Sequence, residues 1–147
     1  MSTSDRDIAD FFEENVAFMK WIGLKVDSIG GGKCRCRVPF RPELVGDPFR
    51  PALHGGVTST LADTAGGLAV FSAVGSLEAR VSTVDLRVDY YAPGDMKDLI
   101  ADAEVVRVGN RVGVARVILH HGDPAHLVAE GKGVYNIHHH KRHIPDG

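Results

Sequence analysis

The sequence predicts an α+β protein in which an antiparallel sheet wraps around one long central helix. Three observations carry that expectation. The run from His54 to Ala73 is small and apolar nearly all round. A helix with no polar face must be buried on every side. Several strand-like segments follow it, joined by short turns, and strands joined in that way are antiparallel. One face of such a sheet has to be covered, and only the His54–Ala73 segment offers enough apolar surface to cover it.

The elements can be justified in order. Ser4 followed by Asp5, Arg6 and Asp7 marks a helix start. Ile8, Phe11, Phe12, Val16 and Met19 follow at near-helical spacing, which carries the helix to about Lys20, with Gly23 as a stop. Gly23 to Ile29 and Lys33 to Phe40 form a hairpin around Gly30-Gly31-Gly32. Arg41 to Leu53 holds Pro42, Gly46, Pro48 and Pro51 and reads as a loop. After the long helix, Val84, Leu86, Val88 and Tyr90 alternate with Thr83, Asp85, Arg87 and Asp89, a strand with a period of two. Pro93-Gly94-Asp95 turns the chain. Leu99 to Val108 and Arg111 to His120 pair across Gly109-Asn110, and His126 to Ile137 closes the sheet. The polar tail 138–147 is expected to fray. At 147 residues, a single domain spanning 1–147 is expected.

Composition narrows the function classes. Apolar residues make up 44% and charged residues 24%, with a net charge of −2. Nucleic acid is not the expected partner, because no basic block lies outside the last few residues. A membrane is not expected either, since Asp63 stands in the middle of the apolar segment. Cys34 and Cys36 share one face of a strand and are too close in the chain to bridge without strain, so both are expected as reduced thiols. The first ten residues show no secretory signal, and a cytoplasmic location is expected.

The candidate chemistry centres on Asp63. A carboxylate between Leu61, Ala62, Ala65 and Leu68 is costly to bury without a partner. Nine residues upstream, His54-Gly55-Gly56 opens the helix. Free N–H groups and partial positive charge at a helix start suit a carbonyl oxygen gaining negative charge. His54 and Asp63 are about 13 Å apart along the axis, too far to serve one carbonyl within a single chain. A twofold pair of chains would resolve that distance. Three features are weaker: His120, His121 and His126 around a turn and the His138-His139-His140 run read as surface, while Arg107 and Arg111 bracket a hairpin either as plain charges or as partners for phosphate groups. No metal ligand set is expected.

The run from His54 to Ala65 resembles the central-helix signature of hot-dog thioesterases, closest to the phenylacetate-degradation type. The strand Val81–Tyr91 entering Pro93-Gly94 and the Arg107–Arg111 turn are similar to that family as well. The resemblance spans roughly residues 21–137. It implies a hot-dog fold, sheets joined edge to edge in a dimer or dimer of dimers, and hydrolysis of an acyl-CoA thioester without a bound cofactor. By the same resemblance, Asp63 is the general base or nucleophile, the Gly55 amide polarises the thioester carbonyl beside His54, and Thr83 orients water. Gly56, Asp85, Tyr90, Tyr91, Pro93, Gly94 and Arg107 fall at substrate-binding positions. One departure stands out. Pro48 occupies the place where relatives often carry Asn or Gln. That absence favours the alternative of a protein that binds acyl-CoA without cleaving it, as a sensor or accessory module.

Overall fold

The computed structural model describes residues 3–140. Its N-terminal helix is not continuous. α1 spans Thr3–Asn15 and α2 spans Ala17–Ile22, with Val16 extended between them at φ −88° and ψ 101°. The break turns the second helix so that Met19 and Ile22 are buried in the core while Phe12 packs edge-to-face on Phe71. Gly23 ends α2 at φ 77°, in the left-handed region that glycine adopts without penalty.

β1 (Lys25–Gly30) and β2 (Lys33–Val38) form the expected hairpin. Cys34 and Cys36 point together into the core as free thiols, with sulfurs 3.5 Å apart. The hydrogen bond with Cys34, and burial after it, push the Cys36 thiol well above its ordinary value, so it stays protonated and unreactive. The proline-rich loop contains a single 3₁₀ turn at Pro42–Leu44 and a bridge between Val45 and Leu53. Its Gly46 fits tightly: a Cβ there would lie 2.6 Å from the His54 Cα.

α3 runs Gly55–Val74 and is capped by Gly75 at φ 69°. The remaining strands are β3 (Ala79–Tyr90), β4 (Leu99–Val108), β5 (Val112–His120) and β6 (Leu127–His139). β6 therefore reaches two residues into the segment expected to fray, and 141–147 lie outside the described residues. The sheet has the order β1-β2-β4-β5-β6-β3, antiparallel throughout. α3 packs on every one of the six strands.

The small residues of α3 serve this close approach. Ala62, Ala65 and Ala69 are fully buried, and a Cβ on Gly66 would collide with the Tyr135 hydroxyl. α3 is long and apolar enough to cross a bilayer by length and composition, but the sheet rather than lipid surrounds it.

β3 departs from simple alternation. Its register with β6 shifts between Thr83 and Asp85, which makes Val84 the extra residue of a β-bulge. Without the bulge, Thr83 would face away from Leu86, Val88 and Tyr90. With it, Thr83 and Tyr90 both reach α3, while Val84 turns outward and is 66% exposed. β3 is also a terminal strand of the sheet.

Candidate active site

Asp63 lies near the middle of α3, half-buried. The Thr83 hydroxyl donates to its Oδ1 at 2.7 Å. Beneath them the fully buried Tyr135 hydroxyl donates to the Asp63 backbone carbonyl at 2.9 Å. Burial, and after it the Asp63 charge, push the Tyr135 phenol above its ordinary value, so it remains a donor. Asp63 and Thr83 form part of the wall of a largely apolar groove of about 820 Å³, roofed by α1 and α2.

The start of α3 is built differently. The Gly56 N–H donates to His54 Nδ1 at 2.8 Å, and the Val57 N–H donates to the His54 carbonyl at 2.9 Å. His54 is thus the N-cap, and because its Nδ1 accepts, a neutral ring carries its proton on Nε2. A Cβ at position 56 would sit 2.8 Å from that Nδ1, so glycine there is required by the cap. The Tyr90 hydroxyl donates to the Gly55 carbonyl at 2.7 Å and also bonds the Ser59 hydroxyl. The Gly55 N–H has no hydrogen-bond partner among the described residues. It is an unused amide at the positive end of a 20-residue helix.

The structure gathers most, but not all, of the expected residues. His54, Gly55, Tyr90, Tyr91, Pro93 and Gly94 line one cavity of about 560 Å³ at the helix start. Gly94 is held there by the Leu53 N–H, which donates to its carbonyl at 2.9 Å. Asp63 and Thr83 line the other cavity, and no described residue lines both. Asp85 is exposed on β3 just past the bulge and lines neither cavity. Arg107, also exposed, lies at the opposite end of the sheet from Tyr90. It is six residues along β4 from Ala101, or roughly 20 Å.

The reading of His120 as a surface residue is corrected. Its side chain is fully buried, Nε2 lies 2.7 Å from Asp102 Oδ2, and Nδ1 accepts from the Gly122 N–H at 3.0 Å. Asp102 in turn takes two hydrogen bonds from Arg35, at 2.5 and 2.9 Å. Burial alone would push the Asp102 carboxyl up; the bonds from Arg35 and His120 outweigh it and hold the group below its ordinary value. The period-two pattern gave no hint of this, because His120 lies beyond a register shift at the end of β5.

His138 bonds Asn136, and His139 bonds the Asn110 carbonyl. Among the described residues no group of three or more His, Cys, Asp or Glu is arranged to hold a metal ion. The groove roof went unnoticed in the sequence, although Ile8, Phe11 and Phe12 at helical spacing were its available signal.

An antiparallel sheet curled around one long buried helix is the architecture of the hot-dog class of proteins. Residues 51–127 match the thioesterase superfamily, and the chain belongs to it. A Halobacterium salinarum protein named as a candidate esterase is 39% identical, over 86% of this chain and 87% of its own. The medium/long-chain acyl-CoA thioesterase YigI of Salmonella typhimurium is 31% identical, over 83% of this chain and 86% of its own. A crystal structure from Shewanella oneidensis, related to the thioesterase superfamily, aligns with a TM-score of 0.79 and 31% identity, covering 89% of this chain and 93% of that one.

Proposed function

We propose that this thioester hydrolase cleaves acyl-CoA to the free acid and CoA, with Asp63 as general base in a site completed by a second copy of the chain. The observation that carries this reading is the 2.7 Å bond from Thr83 to Asp63 in the wall of an apolar groove. Thr83 occupies one carboxylate oxygen and leaves the other to take a proton from water. The water oxygen then bonds the carbonyl carbon, and the developing oxyanion is met by a Gly55 N–H and the helix dipole behind it. The C–S bond breaks, and CoA leaves as a thiolate that picks up the proton from Asp63. The free acid remains.

Gly55 and Asp63 of one chain are eight residues apart, about 12 Å along the axis, and line different cavities. The terminal position of β3 supports a twofold pairing through that strand. A twofold axis near Leu86 sets Thr83 of one copy opposite Asp89 of the other. That residue neighbours Tyr90, whose hydroxyl holds the Gly55 peptide. Each copy would thus present its helix start to the other copy's carboxylate. On this arrangement the CoA portion meets Tyr91, Pro93 and Gly94, and Arg107 and Asp85 act only if the assembly brings them near.

The unlinked, buried thiols at Cys34 and Cys36 suit a reducing compartment, and we place the protein in the cytoplasm. The narrower likeness to phenylacetate-degradation enzymes rests on the His54–Ala65 run, with the Val81–Gly94 and Arg107–Arg111 segments beside it. Asp63→Asn preserves size and removes the base. It is expected to abolish release of CoA thiol from acyl-CoA while the protein still melts cooperatively. Undiminished hydrolysis by that variant overturns the assignment. Light scattering is expected to find a dimer or larger assembly, and full activity in a monomer overturns the composite site.

A further inference from the structure

Resting on the reading of Asp63 as the base for acyl-CoA, we propose that the groove running from Asp63 to Phe71 is an acyl-chain slot of medium length, closed at its far end by the Phe12–Phe71 pair. Two walls define it. One is the face of α3 carrying Asp63, Thr64, Gly67, Leu68 and Phe71; the other is β3 from Thr83 back to Ala79. The Thr83–Asp63 hydrogen bond joins the walls at one end. At the other end Phe12, from α1, meets Phe71 edge-to-face with ring centroids 5.0 Å apart. The stop is supplied by α1, which lies outside the segment 51–127 that matches the superfamily.

The walls give two measures of length. Eight residues of helix from Asp63 to Phe71 rise about 12 Å. Four residues of strand from Thr83 to Ala79 span about 13 Å. An extended chain advances roughly 1.2 Å per bond, by the reach of the three-bond peptide repeat. The slot therefore takes an acyl chain of roughly ten carbons. Its lining is mainly aliphatic and aromatic, which suits a saturated chain. Phe11 and Phe18 at the roof are more than half exposed.

The test is the chain-length profile of CoA thiol release by the parent, Phe12→Ala and Ala79→Trp, using straight-chain acyl-CoAs from C4 to C16. Neither substitution touches Asp63 or Thr83. For the parent, kcat/KM is expected to rise up to about fourfold per methylene and to stop rising near C10. Phe12→Ala moves the optimum upward by two or more carbons. Ala79→Trp fills the far end of the slot and lowers kcat/KM at least ten times more on C10 than on C4. Inhibition of the parent by free fatty acids, strongest near C10, needs no variant and covers a failure of either variant to fold. A flat parental profile, or changes parallel at every length, overturns the slot while leaving hydrolysis standing. Undiminished C4 turnover by Asp63→Asn overturns the reading beneath it. No thiol release from any acyl-CoA overturns both.

Discussion

Replacing Thr83 with valine removes one hydroxyl and almost nothing else, which makes it the sharpest perturbation of the candidate site. Valine matches threonine in shape and suits a strand, so β3 and its bulge should persist. What disappears is the 2.7 Å hydrogen bond to Asp63 Oδ1. In the unassembled chain Thr83 is exposed and Asp63 half-buried, so water can replace the lost donor. The effect on folding should stay within about 0.5 kcal/mol. In a closed, substrate-filled slot that replacement is denied. A hydrogen bond to a charged group is then worth roughly 1.5–3 kcal/mol, or roughly 10- to 150-fold in rate. The assay is kcat for CoA thiol release at saturating decanoyl-CoA, with thermal melting in parallel. Thr83→Ser, which keeps the hydroxyl, should recover most of the rate. Combining Thr83→Val with Asp63→Asn should cost no more than Asp63→Asn alone, because the two residues act as a unit. A valine variant at the parental rate, or a double variant whose losses multiply, refutes the reasoning.

Two further outcomes concern the scaffold. Gly66→Ala should destabilise by about 1–3 kcal/mol despite alanine's better helix propensity, because its methyl meets the Tyr135 hydroxyl. Tyr135→Phe should relieve part of that cost in a double variant, although alone it loses about 1 kcal/mol with its bond to the Asp63 carbonyl; paired urea melts measure the coupling. The second outcome concerns Asp102, held below its ordinary value because Arg35 and His120 outweigh burial. Its folded pKa is depressed, so its stabilising contribution is present above the unfolded value of about 3.9 and is lost as pH falls through the lower folded value. Arg35→Gln should therefore be clearly less stable than the parent at pH 7, with the gap narrowing below about pH 4. An equal gap at both pH values would remove the carboxylate from the explanation.

Legibility in the sequence followed the range of the interactions. The all-apolar α3 and the alternating strands announced themselves, because burial pattern and backbone period are local properties. The turn at Gly109-Asn110 and the stop at Gly23 were legible for the same reason. The Val84 bulge was not, since the chain on either side keeps its period of two and only pairing with β6 reveals the extra residue. Yet that bulge lets Thr83 and Tyr90 serve the same face. Tyr135 gave no sign either, because its role depends on Gly66, which is distant in sequence. The small residues of α3 divide between close packing and groove lining. Gly66 and the alanines turned out to be packing, while Thr64 and Gly67 line the slot.

Pro48 brings no side-chain amide to the start of α3, and the geometry offers the His54 ring as a donor there. The neighbouring Asp47 carboxylate is already an acceptor for the Phe49 and Arg50 N–H groups and has no proton to donate. The His54 ring, by contrast, spends Nδ1 on the Gly56 N–H, and its Nε2–H has no partner among the described residues. It lines the same cavity as the Gly55 amide. A series at position 54 separates capping from donation. Serine keeps an N-cap acceptor but loses the ring donor; alanine loses both; glutamine keeps an acceptor and a donor. If the ring only caps, serine should match the parent, and alanine should lose about 1 kcal/mol of stability with kcat little changed. If it also donates to the oxyanion, serine and alanine should share a loss of about 100-fold or more in kcat, and glutamine should recover part of it. The second pattern is expected, read as kcat on decanoyl-CoA beside melting temperature. A serine variant turning over at the parental rate would confine His54 to holding the helix end and leave Gly55 as the sole donor there.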